Sequence, residues 1–122
     1  MPEEAPIVAR KFHDVIIATP AKESLFERAK IHQIRDKLTK YLDVKKPPAL
    51  VVDLEHTENV SSEAIGALMK IRDHAVANGI QFRICNLQPA VHEVLDITEL
   101  ADLFDIYDTL PDAYRGLVPE DS

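Results

Sequence analysis

The sequence predicts a single α/β domain with a mostly parallel central sheet of four to five strands and four helices. Three observations lead there. Strand-length apolar runs alternate with helix-period segments, in the rough order β-β-α-β-α-β-α-β-α, from residue 7 to about residue 117. The run Ala49 to Leu54 is apolar except for Asp53, as in a strand covered on both faces. The chain has 122 residues, enough for one core and too few for a second domain. Residues 7–117 are therefore assigned to the domain, and 1–6 and 118–122 to flexible tails.

Ile7 to Phe12 and Val15 to Ala18 are predicted strands, with His13-Asp14 between them and Pro20 ending the second. Their pairing as a hairpin lacks the usual Asn-Gly or Asp-Gly turn. Ile31, Ile34, Leu38, Tyr41 and Leu42 form one helical stripe, opposite Gln33, Arg35, Asp36, Lys37 and Lys40. That helix starts between Lys22 and Ala29 and stops at Lys45-Lys46-Pro47-Pro48, because proline disfavours a helical residue before it. After the buried strand, a helix is expected from about Ser61 to Val76, with Ile65, Leu68, Arg72, Ala75 and Val76 on its inner side and Met69 at the edge. Asn78-Gly79 is its stop signal. A strand through Ile80, Phe82 and Ile84 follows. Pro89 opens a third helix carrying Val91, Val94 and Leu95. Leu103 to Tyr107 reads as the last strand, and Pro111 to Arg115 as a short final helix.

Composition narrows the function. With 14 basic and 21 acidic residues the formal net charge is −7, which disfavours nucleic-acid binding. The N-terminal residues lack the basic start and apolar stretch of a signal peptide. No apolar run approaches the roughly 20 residues that span a bilayer. A cytoplasmic protein without membrane insertion is expected. Cys85 is the single cysteine, so no internal disulfide forms, and its place after a strand suggests packing. The five histidines lack metal-ligand spacing, and no Gly-rich phosphate loop is present, so neither metal nor cofactor is expected. Asp53, His56 and Ser62 are the residue types of a hydrolytic triad, but there is no Gly-x-Ser-x-Gly elbow. A phosphoaspartate receiver would need an acidic pair after Val15-Ile16-Ile17 and a late lysine, and no lysine follows Lys70.

The most informative stretch is Val51-Val52-Asp53-Leu54 followed by Val60-Ser61-Ser62-Glu63-Ala64-Ile65-Gly66. It places two hydroxyls at a helix start, where backbone N–H groups lack partners and the helix dipole is positive. Either serine suits the capping position, worth about 1 kcal/mol. A phosphate is also well tolerated there.

The segment from Pro48 to Ala113 resembles a STAS domain, the fold of bacterial anti-sigma factor antagonists. Such proteins carry a strand ending in Asp-Leu, a loop, and Asp-Ser-Ser-Gly-Leu-Gly opening a helix. Asp53-Leu54 and Ser61-Ser62-Glu63-Ala64-Ile65-Gly66 stand in those places. Asn78-Gly79, Leu87-Gln88-Pro89-Ala90-Val91, Leu95 to Leu100 and Leu103 to Asp108 follow in the family's order. The resemblance implies a non-enzymatic module that binds an anti-sigma factor with GHKL-type kinase activity. It implies phosphorylation at Ser62, with Ser61 second, and thereby control of sigma-factor-dependent transcription. Three positions depart from the pattern: Ser61 replaces Asp, Glu63 replaces the second Ser, and Ala64 replaces Gly. The implied partner surface comprises His56, Thr57, Glu58, Asn59, Ser61, Ser62, Glu63, Gly66, Met69 and Asp73. The alternative is an unphosphorylated STAS scaffold or ligand-sensing module in a signalling complex.

Overall fold

The computed structural model describes residues 6–117. The assigned tails at 1–5 and 118–122 lie outside the described residues. Pro6 is part of the fold, since its carbonyl accepts a hydrogen bond from Ala21 N at 2.8 Å.

Five strands form one sheet in sequence order: β1 (Ile7–Phe12), β2 (Val15–Pro20), β3 (Ala49–Asp53), β4 (Gln81–Cys85) and β5 (Asp105–Tyr107). β1 and β2 are an antiparallel hairpin, with Phe12 opposite Val15. Both turn residues have positive φ, 49° at His13 and 72° at Asp14, so the turn is of the I′ kind that matches strand twist. The pairing therefore forms without the usual glycine, on residue types that tolerate this region. The remaining pairs are parallel, with Ile17 opposite Val51, Val52 opposite Ile84, and Ile84 opposite Ile106.

Helices α1 (Arg28–Lys45), α2 (Ser62–Ala77) and α3 (Pro89–Ile97) cross over between neighbouring strands. They cover one face of the sheet, where Ile16, Leu50, Val52, Phe82 and Ile84 meet helix residues such as Ile34, Leu68 and Val91. The other face carries a smaller cluster of Val15, Ile17, Ala49, Val51 and Cys85 with Ala113 of the short α4 (Leu110–Tyr114). Arg83, on that face, fastens α4. Its Nη1 donates to the carbonyls of Ala113 and Arg115, both at 3.0 Å, and its guanidinium lies 5.0 Å from the Tyr107 ring centre.

Two expectations need correction. The inner side of α2 is Ala64, Ile65, Ala67, Leu68, Ile71 and Ala75, at i, i+3, i+4, i+7 spacing, while Val76 is 56% exposed. Val76 lies off the centre of that stripe, and Ile71 takes the buried place instead. The last strand also starts later than Leu103, because Ala101–Leu103 forms a 3-10 turn, closed by Phe104 N donating to Ala101 O at 3.2 Å. The stop at Asn78-Gly79 forms as expected. Gly79 has φ 72°, Gly79 N donates to Val76 O, and Ile80 N donates to Ala75 O. These bonds make a Schellman cap, which requires a left-handed residue at Gly79.

Candidate functional site

The site lies at the carboxyl end of β3, where the loop to α2 meets the loop that precedes α1. Asp53 is buried at the strand end, and its Oδ1 accepts from Glu55 N at 3.1 Å and from Asn86 Nδ2 at 2.9 Å. This bond pair ties the β3 end to the β4 end. Gln88 adds a second tie, its Nε2 donating to Glu55 O at 2.8 Å. Asp53, His56 and Ser62 form no relay. Asp53 is held by backbone and amide, and His56 Nε2 stands 3.3 Å from Glu55 Oε1.

The two serines divide their roles. Ser61 is the N-cap of α2, in extended conformation, and its hydroxyl accepts from Ala64 N at 3.1 Å. Ser61 N donates to Leu25 O at 3.2 Å, fixing the cap against the loop before α1. Ser62 is the first helical residue, and its side chain is exposed. Of the other predicted surface residues, His56, Glu58, Asn59, Glu63 and Asp73 are exposed. Gly66 and Met69 are half-buried, Met69 packing on the main core. Thr57 is a correction. It is only 1% exposed, its amide bonding to Leu54 O at 3.0 Å, so it shapes the loop from inside and offers a partner no surface.

Gly66 has no packing role within the domain. A methyl group there would meet nothing within 4 Å beyond its own helix backbone.

The charge at Glu63 is matched by a residue that local sequence patterns do not single out. Arg28, at the start of α1, donates Nε–H to Glu63 Oε1 at 2.9 Å and Oε2 at 3.1 Å, and Nη2 also bonds Oε1. His32 Nε2 lies 3.9 Å from Oε2. The hydrogen bond from Arg28 holds the Glu63 carboxyl below its usual range, against a smaller opposing effect of desolvation and with help from the attraction of Arg28 and His32. The same contact raises Arg28. Phe26 is a second missed residue, 60% exposed beside a hollow of about 310 Å³ that Glu23, Glu27, Glu58 and Asn59 also line.

Among the described residues, no three histidine, cysteine or acidic side chains gather as metal ligands. No helix among the described residues is long and apolar enough to cross a membrane. Cys85 is buried at the end of β4. Desolvation first, then the charges of Asp53 and Glu55, push its thiol up to about 12.

A mostly parallel five-stranded sheet in sequence order, with three helices on one face and a capped serine pair opening the middle one, defines a small α/β domain. The STAS domain model matches residues 6–113, and the chain belongs to that family. It is 37% identical over 60 residues to a STAS-domain containing protein of Pseudomonas aeruginosa, a match spanning 49% of this chain and 59% of that relative. Among solved structures it resembles TM1081, a candidate anti-sigma factor antagonist from Thermotoga maritima. The TM-score is 0.82 at 24% identity, covering 90% of this chain and 92% of the other. It also resembles the anti-sigma factor antagonist SpoIIAA in its unphosphorylated form, with TM-score 0.75 at 15% identity over 93% and 99% of the two chains. At these identities the structural likeness speaks for the fold alone.

Proposed function

We propose that this chain is an anti-sigma factor antagonist of the cytoplasm that acts by binding, not catalysis. Its partner is an anti-sigma factor with serine kinase activity of the GHKL type. The contact surface is His56, Glu58, Asn59 and the outer arc of α2 from Ser61 through Gly66 and Met69 to Asp73, and Ser62 is the phosphoacceptor. Binding frees a sigma factor for transcription, and phosphorylation ends it.

The observation that carries this reading is Gly66. Glycine in a helix interior costs about 1 kcal/mol relative to alanine. Nothing inside the domain requires it. A partner approaching α2 closely, one turn from Ser62, supplies the reason. The division of labour between the serines adds support, since Ser61 holds the cap and leaves Ser62 exposed. A phosphate on Ser62 adds about −1.5 to −2 charges at the positive end of the helix, which suits the fold. Buried against a partner without a matching cation, it costs several kcal/mol. Each 1.4 kcal/mol is a tenfold loss of affinity.

The test is to incubate the purified chain with ATP and a candidate GHKL-type kinase from the same organism, then locate phosphate by mass spectrometry. Phosphate on Ser62, and weaker kinase binding by Ser62→Asp, are expected. Phosphate confined to residues other than Ser61 and Ser62 would overturn the switch assignment.

A second reading, ligand sensing, is favoured by one feature. A hollow of about 630 Å³ lies at the same end of the sheet, lined by Arg10, Thr19, Lys22, His56 and Gln88 among others. Its size is within the range of small-molecule sites. A metabolite retained through purification and lost in Arg10→Ala would support that reading.

A further inference from the structure

The departure at Glu63 places a carboxylate directly beside the phosphoacceptor, and the structure pairs it with a cation from another helix. We propose that Arg28 is the internal receptor for a phosphate on Ser62, and that phosphorylation draws its guanidinium from Glu63 to the phosphate. This rests on Ser62 being the modified residue.

Arg28 already reaches the first turn of α2, at the residue next to Ser62. Its side chain is 76% exposed, so no packing holds it on Glu63, only the forked hydrogen bonds. Two lysines near this end are engaged elsewhere: Lys22 with Glu58 at 3.5 Å and Lys30 with Glu27 at 3.4 Å. His32 is the second group facing Glu63, and it adds charge only when protonated. A phosphate dianion is the stronger acceptor for a planar guanidinium, because it offers more charge to the same fork. Glu63 and the phosphate then compete for one arginine, and Glu63 loses.

The exchange changes what a partner meets. In the unmodified protein the Glu63 carboxylate is masked by Arg28. After phosphorylation the phosphate takes Arg28, and the Glu63 carboxylate stands uncovered next to it. One modification thus alters two anionic positions on the same helix turn. It also explains how a carboxylate is tolerated beside the phosphoacceptor of a charge-operated switch.

The test installs the phosphate directly, by encoding phosphoserine at position 62 in the full chain, so no kinase enters the experiment. The second ionisation of the phosphate is followed by 31P NMR, and the Glu63 carboxyl by 13C NMR. With Arg28 present, the phosphate's acid constant should be two- to fivefold larger than in Arg28→Gln, the scale of an exposed charge pair. Phosphorylation should also raise the Glu63 pKa toward the ordinary carboxylate range. Glu63→Gln separates direct contact from helix packing. Removing the competitor should leave the phosphate's acid constant equal to wild type or larger, whereas a packing role would make this variant resemble Arg28→Gln. Repeating the pair in His32→Gln removes the imidazole's own titration. A phosphate that titrates identically with and without Arg28, while Glu63 stays unmoved, overturns the proposal. That result would leave the identity of the phosphorylated residue intact, and failure of kinase labelling at Ser62 would leave the Arg28 measurement intact.

Discussion

Replacing Gly66 with alanine should make the free domain more stable and its complex weaker, a pair of opposite signs that few single substitutions produce. The added methyl meets nothing within 4 Å outside its own helix. Strain and overpacking are therefore absent, and what remains is helix propensity and the reduced freedom of the unfolded chain. Together these favour alanine by about 0.5–1 kcal/mol. In a domain of this size that corresponds to a rise of roughly 2–4 °C in Tm. Urea unfolding followed by circular dichroism reads the same change as a higher midpoint at unchanged slope, since the surface exposed on unfolding is unaltered. The second arm measures affinity for the kinase by titration calorimetry, where the methyl should obstruct an interface that approaches the helix backbone. Loss of stability would refute the reasoning at its first step, because it would mean that the helix surface at Gly66 is packed in solution. Gain of stability with unchanged affinity would refute the second step and remove Gly66 from the contact surface.

Three further outcomes are expected. Ser61→Ala should destabilise the domain by about 1 kcal/mol through loss of the cap to Ala64 N, seen as a lower urea midpoint, while Ser62→Ala should leave it nearly unchanged. Asp53→Ala should cost about 1–3 kcal/mol, because Glu55 N and the Asn86 amide lose their acceptor, and faster amide exchange at Glu55 would report it. Cys85 should resist a thiol reagent at pH 8.5 in the native state and react fully in urea. With the thiol pushed up to about 12 it stays protonated through the neutral range, and the thiolate gains ground only as pH rises toward that value. Rapid native labelling would contradict its burial.

What the sequence revealed depended on how local each cause was. The buried strand Ala49–Asp53, the helix start at the serine pair, the stop at Asn78-Gly79 and the proline opening α3 are written in adjacent residues, and each forms where expected, while only the fold tells that Ser61 and not Ser62 takes the cap. The start of α1 at Arg28 left no such trace, for its capping residue Glu27 makes no capping side-chain hydrogen bond. The preceding loop is fixed instead by tertiary burial of Ser24 and Leu25 and by the bond from Ser61 N to Leu25 O. The 3-10 turn at Ala101–Leu103 shortens the expected strand by its first two residues, since an apolar residue such as Leu103 reads equally well as strand. At the site, the hydroxyls and Gly66 were visible as helix-start chemistry. Arg28 was not, because it meets Glu63 across 35 residues and a helix–helix contact. Thr57 was misplaced for the same reason. A polar residue in a loop reads as exposed, and only the packed fold turns it inward.

The order of the strands in the sheet is also the order in which the ribosome releases them. Each new strand finds its partner already made, the hairpin first, then β3, β4 and β5 in turn. Pairings of this kind have short sequence separations for a parallel sheet, which favours rapid assembly during synthesis. The step that must wait for the end of the domain is the docking of α4. Arg83 then captures the carbonyls of Ala113 and Arg115 and closes the second face over β3 and β4. A chain that stops before Leu110 would carry the whole serine-bearing end of the domain yet lack this closure. Such a fragment should display the site while exposing Ala49, Val51 and Cys85, and it should reach the aggregate sooner than the partner.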